Sequence, residues 1–384
     1  MNSTTGAIVV GAGPAGLAAA ACLKEMGVET LILERAASLA ASWRRHYDRL
    51  HLHTDRRHSG LPGLPMPRSY PRYPSCAQVV DYLSQYAEHF CLTPRLRTTA
   101  RRALRENAEW RVETNAEAYR APTLVIATGA ASTPFRPRWP GAKTFAGSLC
   151  HSSEYRNPAP YAGKRVVVVG CGNSGGEIAL DLAEAGTSVA LSVRGPVNVI
   201  PRDLLGLPIL TWTSLFKRLP PRLADRLSWP LIRLCIGSPD RLGLERPARG
   251  PLADLAERGR VPLIDVGTVA AIRQGRIAIR PDIRAIHPGE VEFVDGRHET
   301  CDAIIMATGF RPDLRPLLPE AADALDAHGA PKVTGTPAML PGLYFCGFRV
   351  APTGQLRQIG TEAVRIAADV AGRGGAGRSS AFLA

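Results

Sequence analysis

The residues best suited to chemistry in this 384-residue chain are two glycine triplets that could hold the phosphates of dinucleotides. The first triplet is Gly11, Gly13 and Gly16, within residues 7–16 (AIVVGAGPAG). Glycine permits a tight turn at the first position, close approach of the backbone to a pyrophosphate at the second, and close packing of a helix on a strand at the third. Glu34 follows Gly16 by eighteen residues, and its carboxylate could accept hydrogen bonds from a ribose but would repel a 2′-phosphate. The pattern predicts a site for FAD or NAD rather than NADP.

The second triplet is Gly170, Gly172 and Gly175, within residues 165–176 (RVVVVGCGNSGG). Here the strand after the helix ends at Arg194 and not at an acid. Because a guanidinium can pair with a 2′-phosphate, this second site is predicted to bind NADPH.

Each triplet lies in a strand–turn–helix–strand pattern. The predicted helices are Leu17–Met26 and Glu177–Ala185, and the strands that follow them are Thr30–Leu33 and Ser188–Val193. Two more apolar segments end in Ala-Thr-Gly, at 124–129 and 303–309, and a short strand at 342–347 leads to a predicted helix at Thr353–Ile366. The N-terminus of that last helix could face a flavin ring and stabilise negative charge on it.

These patterns predict an α/β fold with two Rossmann-like dinucleotide-binding domains, one for FAD and one for NADPH. One Ala-Thr-Gly strand precedes the second triplet and the other follows it, so the NADPH domain is expected to be inserted into the FAD domain. We assign residues 1–155 and 310–384 to the FAD domain and residues 156–309 to the NADPH domain. An apolar insertion at about 203–244 could wall the substrate entrance, pair subunits or contact a membrane surface. An extra helical layer is the alternative.

Composition disfavours several other classes of protein. The net charge is +13, but the arginines are scattered, which favours compositional bias over a nucleic-acid surface. The eight cysteines contain no C-x-x-C pair, and Cys171 in the second triplet has no partner, so neither a metal site nor a disulfide reductase is expected. The short tail after residue 372 disfavours a quinone-linked reductase. Without a signal peptide or an apolar run of about 18–20 residues, we expect a cytoplasmic protein with no transmembrane segment.

A third motif lies between the two triplets. Residues 145–155 (FAGSLCHSSEY) contain Phe145, Gly147, His151 and Tyr155, which from the chain alone indicate a hinge between domains. The spacing F-x-G-x-x-x-H-x-x-x-Y resembles the fingerprint of flavin-containing monooxygenases, in which it is associated with coupling NADP binding to oxygenation. A structural histidine is the alternative interpretation of His151.

The resemblance extends along nearly the whole chain. The segments ACLKEMGV, YDRLHLH, GCGNSG, VIPRDLLG, LERPARGP and ATGFRP follow the order found in the YUCCA branch of that family. The resemblance implies an FAD- and NADPH-dependent monooxygenase that uses a flavin C4a-(hydro)peroxide, dioxygen and an aromatic or lipophilic small molecule. The first reaction it implies is oxidative decarboxylation of an aromatic 2-oxo acid such as indole-3-pyruvate. N- or S-oxygenation, an NADPH oxidase-like activity and a nucleotide-binding redox sensor remain alternatives, and a homodimer is also open.

His53 is the main catalytic candidate, because many members of the family carry Asn where YDRLHLH places this histidine. Its ring could donate to the peroxide or hold NADP, or it could simply line a polar loop. Gln355 is the second candidate, in a segment (351–360) that departs from the plant pattern and is expected on the flavin side. Arg56, Arg57 and Arg357 could bind a substrate carboxylate or remain surface residues. The residues predicted to bind one or the other cofactor are Gly11, Gly13, Pro14, Ala15, Gly16, Glu34, Arg35, Ser42, Trp43, Thr128, Gly129, His151, Gly170, Gly172, Asn173, Ser174, Gly175, Arg194, Thr308, Gly309, Gly347 and Gln355.

Overall fold

The structure is a computed structural model that describes residues 5–216 and 219–373. Residues 217 and 218 of the expected insertion and residues 374–384 of the expected FAD domain lie outside the described residues. The strands, in chain order, are β1 Ala7–Val10, β2 Thr30–Leu33, β3 Ala100–Glu106, β4 Glu109–Thr114, β5 Ala118–Ala121, β6 Thr123–Ile126, β7 Ser148–His151, β8 Arg165–Val169, β9 Ser188–Ser192, β10 Val199–Pro201, β11 Asp203–Leu204, β12 Leu207–Pro208, β13 Leu263–Asp265, β14 Ile277–Arg280, β15 Ile283–His287, β16 Glu290–Phe293, β17 His298–Thr300, β18 Ala303–Met306 and β19 Leu343–Phe345. The α-helices are α1 Pro14–Glu25, α2 Ala41–Arg44, α3 Cys76–His89, α4 Asn173–Glu184, α5 Ile209–Phe216, α6 Pro221–Ile236, α7 Pro251–Arg258, α8 Thr268–Arg273 and α9 Gln355–Arg373.

The chain divides into two compact units. The first contains the chain up to Arg44, Thr54–Thr133 and the chain from Phe310 onward. Its centre is a parallel sheet in the order β19-β6-β1-β2, and every residue of β1 is buried. The antiparallel strands β3, β4 and β5 lead into β6, and α1 packs against α9. The four apolar residues of β1 explain its place at the centre of the sheet, since a strand covered on both faces needs no polar side.

The helix after the first glycine triplet starts earlier than the sequence predicts. It begins at Pro14, three residues before Leu17, with Gly13 as an extended N-cap. Proline suits the first helical position because its missing N–H would have no partner there. The helix ends just before Gly27, whose φ of +78° favours glycine.

The second unit contains Arg45–His53 and Pro134–Gly309. Its main sheet is parallel, in the order β14-β9-β8-β18-β7, and α4 and α8 pack together beside it. A separate antiparallel sheet consists of β15, β16 and β17. The apolar insertion forms the β11–β12 hairpin followed by α5 and α6. Within residues 5–216 and 219–373, no helix is long and apolar enough to cross a bilayer.

Four residues of the motif at 145–155 form strand β7, and the whole motif lies inside the second unit, which corrects the hinge interpretation. Strand β7 pairs in parallel with β18, with Ser148 opposite Ala303. A Cβ atom on Gly147 would lie 2.4 Å from the carbonyl oxygen of Asp302, so only glycine fits this close approach. The pairing explains why residues 134–155 belong to the second unit, whereas the sequence interpretation began that domain at residue 156.

Candidate dinucleotide sites

The first glycine triplet forms an open turn between β1 and α1. Gly11 has a φ of +111°, and a Cβ there would lie 2.6 Å from the Ala127 carbonyl oxygen. A Cβ on Gly16 would lie 1.8 Å from the carbonyl oxygen of Gly11, so the helix can approach the turn only without a side chain. A Cβ on Gly13 would meet no protein atom within 4 Å. The turn is therefore closed by Gly11 and Gly16 and open at Gly13, where the helix N-terminus offers N–H groups to an anion.

Glu34 lies beside this turn and is held by the backbone. Its carboxylate is buried and accepts hydrogen bonds from the N–H groups of Ala12 and Ala36, both at 2.8 Å. Each carboxylate oxygen can accept a further hydrogen bond. The fixed carboxylate is thus suited to the hydroxyl groups of a ribose.

The other end of this unit's sheet is organised around Glu362, which the sequence analysis missed. Glu362 is fully buried and accepts hydrogen bonds from the Gly347 N–H and the Thr334 hydroxyl, each at 2.7 Å. Gln355, the first residue of α9, donates from Nε2 to the Gly347 carbonyl at 3.1 Å. A Cβ on Gly347 would lie 2.7 Å from the Cβ of Ala15, so the chain after β19 runs against the start of α1. A carboxylate at this position in the mostly apolar buried face of α9 was the available signal.

The remaining predicted residues of the first unit differ in their surroundings. Thr128 Oγ1 is buried and has no hydrogen-bond partner among the described residues, which leaves it available to a ligand. Gly129 has a φ of +87°, and a Cβ there would meet no atom within 4 Å. Arg35 and Ser42 are exposed, Trp43 is half-buried, and Pro14 is buried in α1.

The arginines proposed for a substrate carboxylate differ in their surroundings. Arg56 donates from Nη1 to the Tyr70 carbonyl oxygen at 2.8 Å, and Arg57 is exposed. Arg357 is also exposed and lines an open cleft of about 1070 Å³ with Pro62 and Phe90 among its other walls.

The second glycine triplet repeats the geometry of the first. Gly170 has a φ of +107°, and a Cβ there would lie 2.5 Å from the Ala307 carbonyl oxygen. A Cβ on Gly175 would lie 1.8 Å from the Gly170 carbonyl oxygen, whereas one on Gly172 would meet nothing within 4 Å. The chain therefore contains two turns of the same design, each open at its middle glycine.

Several residues near the second turn have partners within the protein. Asn173 accepts a hydrogen bond at Oδ1 from the Ile264 N–H at 2.8 Å. Ser174 hydrogen-bonds the Tyr47 hydroxyl. Thr308 donates to the Phe135 carbonyl at 2.5 Å. Arg194 is exposed, two residues after the end of β9.

His151 is fully buried, and both ring nitrogens contact the chain. Nε2 lies 3.1 Å from the Gly309 carbonyl oxygen, and Nδ1 accepts from the Ser153 N–H at 3.1 Å. Burial lowers the pKa of His151, and the two contacts define a neutral ring with its proton on Nε2. This arrangement favours the structural alternative for His151. The last residue of the same motif, Tyr155, donates from its hydroxyl to Asp181 Oδ2 at 2.7 Å.

His53 lies against a buried acid that the sequence analysis also missed. Its Nε2 is 2.7 Å from Glu177 Oε1, at ion-pair distance but without the alignment of a hydrogen bond. Its Nδ1 is buried and has no hydrogen-bond partner among the described residues. Glu177 is buried in α4, and the Tyr47 hydroxyl hydrogen-bonds its carboxylate. In the sequence, only the presence of a carboxylate in the apolar face of α4 could have indicated the pair of His53 and Glu177.

The cysteines do not form a redox centre. All eight are free thiols, and burial raises the pKa of Cys171 to about 12. Because the thiolate is the reactive form, Cys171 is unsuited to disulfide chemistry.

Comparisons with known proteins agree with this geometry. Residues 8–203 match the family model described as pyridine nucleotide-disulphide oxidoreductase. The chain is 42% identical over 350 residues to the indole-3-pyruvate monooxygenase YUCCA1 of Oryza sativa subsp. japonica, covering 89% of this chain and 86% of the rice protein. It is 40% identical over 352 residues to the probable indole-3-pyruvate monooxygenase YUCCA1 of Arabidopsis thaliana, covering 89% and 84%. Among solved structures, it is similar to a flavin-containing monooxygenase from Stenotrophomonas maltophilia, with a TM-score of 0.74, 25% identity and coverage of 97% of this chain and 99% of that one.

Proposed function

The chain belongs to the flavin-containing monooxygenases, in the branch of the YUCCA indole-3-pyruvate monooxygenases, and from this premise we propose that it oxidatively decarboxylates an aromatic 2-oxo acid. Indole-3-pyruvate, the substrate in the names of its relatives, is the first candidate. The balanced reaction consumes the 2-oxo acid, NADPH, dioxygen and a proton. It yields the shortened carboxylate, carbon dioxide, NADP⁺ and water.

The similarity to two indole-3-pyruvate monooxygenases supports the substrate, and the observation that supports the chemistry is the pair of matched turns, of which only the first has a carboxylate, Glu34, beside it. Gly13 and Gly172 are both open, so each turn can accept a pyrophosphate. Glu34 is held ready for a ribose beside the first, and Arg194 is exposed beside the second. We assign FAD to the first unit and NADPH to the second. When bound, the nicotinamide supplies two electrons and the flavin activates dioxygen.

The protein's own contribution is to bind and orient the two dinucleotides and to exclude water. The buried Glu362 holds the backbone at Gly347, and Gln355 holds the same residue from the N-terminus of α9. That helix N-terminus would stabilise negative charge on a reduced flavin ring. Thr128 Oγ1 offers a buried hydroxyl to the first dinucleotide. His53 is the proposed hydrogen-bonding group of the second unit, since its Nδ1 is buried and available.

Purified protein tests the proposal directly. We expect yellow, FAD-loaded protein that consumes NADPH and releases carbon dioxide from indole-3-pyruvate in equal amounts, with indole-3-acetate as the other product. The same assay with NADH at the same concentration is the control for NADPH binding at the second glycine turn. Equal NADPH consumption with and without the 2-oxo acid, together with hydrogen peroxide release, would contradict the decarboxylase and indicate an oxidase. Turnover with lipophilic amines or sulfides but not 2-oxo acids would indicate N- or S-oxygenation.

We also propose a cytoplasmic homodimer. The eight free thiols are typical of a reducing compartment. In the insertion, Leu223, Leu227 and Leu234 on α6 are all exposed, at 44%, 53% and 81%. Their spacing of four and seven residues places them on one helix face, which a second copy could cover. Light scattering tests the proposed homodimer. The wild type is expected to be a dimer and Leu227→Glu a monomer. A monomeric wild type would refute the homodimer.

A further inference from the structure

The helix after the second glycine turn contains a buried acid, Glu177, that has no counterpart in the helix after the first turn. The glycines of the two triplets correspond at a constant offset of 159 residues (170 minus 11, and 175 minus 16), which makes Ala18 in α1 the counterpart of Glu177 in α4. Both side chains are buried. Because a buried carboxylate is costly and the first turn forms with alanine at the same place, the fold alone does not require Glu177.

Glu177 belongs to a chain of polar groups that starts in the turn itself. Ser174, the second residue of α4, hydrogen-bonds the Tyr47 hydroxyl, which in turn meets the Glu177 carboxylate. Burial and the nearby carboxylate raise the pKa of Tyr47, so its hydroxyl stays protonated and can donate. The chain of groups ends at His53, with 2.7 Å between Nε2 and the carboxylate. The first group, Ser174, thus lies in the turn. The last group, His53, has a buried Nδ1 with no hydrogen-bond partner among the described residues.

The Glu177 carboxylate lies 2.7 Å from His53 Nε2, and a negative charge at that distance favours the neutral tautomer that carries its proton on Nε2, even without the alignment of a hydrogen bond. With its proton on Nε2, toward Glu177, His53 presents the lone pair of Nδ1 as an acceptor. The ribose hydroxyls and the carboxamide of NADP are donors of the kind that this nitrogen needs. We propose that Glu177 is a positioning residue that fixes the His53 tautomer, so that Nδ1 accepts a hydrogen bond from the NADP held by the second turn. The inference rests on the proposed assignment of NADPH to this unit.

A double-mutant cycle on the FAD-loaded enzyme tests this inference through NADP⁺ affinity rather than turnover. Glu177→Gln and His53→Ala are each expected to weaken NADP⁺ binding by about ten-fold, which is the value of one hydrogen bond of about 1.4 kcal/mol. A glutamine amide can donate to Nε2, which favours the wrong tautomer. Since both changes remove the same hydrogen bond, the double variant is expected to be no weaker than the weaker single one. If Glu177→Gln does not fold, Glu177→Ala replaces it, because it copies the first turn.

The matched control is Asp181→Asn. Asp181 lies one turn further along α4 and is also bonded to a buried tyrosine, Tyr155. This variant is expected to lose stability but to keep the wild-type NADP⁺ affinity. Additive losses in the cycle, or equal losses in Asp181→Asn, would overturn the positioning role. A wild type that binds FAD but no NADP⁺ would refute the proposed function instead.

A separate observation, independent of the dinucleotides, concerns the antiparallel sheet β15–β16–β17. The strand register places His287 opposite Glu290, and Glu292 opposite His298. His298 Nδ1 lies 2.9 Å from Glu290 Oε1, and His287 Nε2 lies 3.4 Å from Glu292 Oε2. The ligand atoms of His287, Glu290 and His298 are all within 4.8 Å of one another. Residues that are not spaced as a metal motif in the sequence are thus brought together by strand pairing.

The spacing of His287, Glu290 and His298 fits a zinc site. Bonds of about 2.0–2.1 Å in a tetrahedron place neighbouring ligand atoms about 3.3 Å apart, close to the 2.9 Å between His298 Nδ1 and Glu290 Oε1. Two imidazoles and one carboxylate are ligands that zinc accepts, and a water molecule would complete the tetrahedron. The competing interaction is Glu292, whose Oε2 lies 3.4 Å from His287 Nε2. We infer that this sheet binds one zinc ion through His287, Glu290 and His298.

Zinc titration of chelator-treated, FAD-loaded protein tests this second inference by calorimetry. The wild type is expected to bind one ion, and both His287→Ala and His298→Ala are expected to bind it at least ten-fold more weakly. His328→Ala, at an exposed histidine of the other unit, is the matched control and should bind like the wild type. Co²⁺ in place of zinc should give the strong visible absorption of a tetrahedral site. No uptake, or uptake that the two histidine variants leave unchanged, would show that two His–Glu ion pairs are the whole function of the cluster.

Discussion

Replacing each glycine of the first triplet by alanine separates folding from cofactor binding. At Gly16 the new Cβ would lie 1.8 Å from the Gly11 carbonyl oxygen, more than an ångström inside contact distance, with backbone on both sides. Forcing such an overlap costs about 1–3 kcal/mol or more, which exceeds the gain of about 0.5–1 kcal/mol for alanine inside a helix. Gly16→Ala is therefore expected to destabilise the protein even without FAD.

At Gly13 the same substitution meets no protein atom within 4 Å, so its effect on the FAD-free protein is limited to a cap change of under about 1 kcal/mol. The methyl group would instead fill the space for the pyrophosphate, and FAD affinity is expected to fall at least a hundred-fold, about 2.7 kcal/mol. Thermal unfolding of deflavinated protein and FAD titration measure the two effects separately. The reasoning is refuted if Gly13→Ala keeps wild-type FAD affinity, or if it lowers the stability of the FAD-free protein as much as Gly16→Ala.

Three other outcomes follow from the geometry of the second unit. Arg194→Ala is expected to raise the KM for NADPH by about 10- to 100-fold, the value of charge-assisted hydrogen bonds, and to leave that for NADH unchanged in steady-state assays. Iodoacetamide at pH 8 is expected to leave Cys171 unmodified by mass spectrometry, because burial raises its pKa to about 12 and keeps it a thiol. Burial lowers the pKa of His151 and of His46, so the unfolded chain binds protons more readily and stability should fall as the pH drops through about 6.5. His151→Asn should flatten that dependence in thermal unfolding from pH 5 to 8, and an unchanged slope would contradict the assignment.

The two glycine turns could be predicted from the sequence because their causes are local. A strand, a turn and a helix N-terminus lie within about twenty residues, and each glycine answers a steric need that the structure shows at Gly11, Gly16, Gly170 and Gly175. The apolar pattern predicts the start of α1 at Leu17, whereas the helix begins at Pro14 because proline fits the first helical position.

The interactions that the sequence did not reveal join distant parts of the chain. The pair of His53 and Glu177 spans 124 residues, and the pairing of β7 with β18 brings 148–151 beside 303–306. Neither contact has a period or spacing that a single sequence displays. The motif at 145–155 therefore resembles a hinge in the sequence, although Gly147 is required by the approach of the Asp302 carbonyl. Partners chosen by strand register can be identified only once the sheet order is known.

The correspondence between the two turns identifies the positions at which the two units differ beside a bound dinucleotide. At the offset of 159 residues, Arg194 is the counterpart of Arg35, so an arginine follows the second strand in both units and cannot by itself distinguish them. The position that differs is Glu34, whose counterpart is Val193. The Glu34 carboxylate is fixed by two backbone N–H groups, and it would repel a 2′-phosphate that Arg35 could otherwise attract. If the second unit binds NADPH as we propose, its selectivity depends on the missing carboxylate as much as on the guanidinium, since specificity is a difference between favourable and unfavourable contacts.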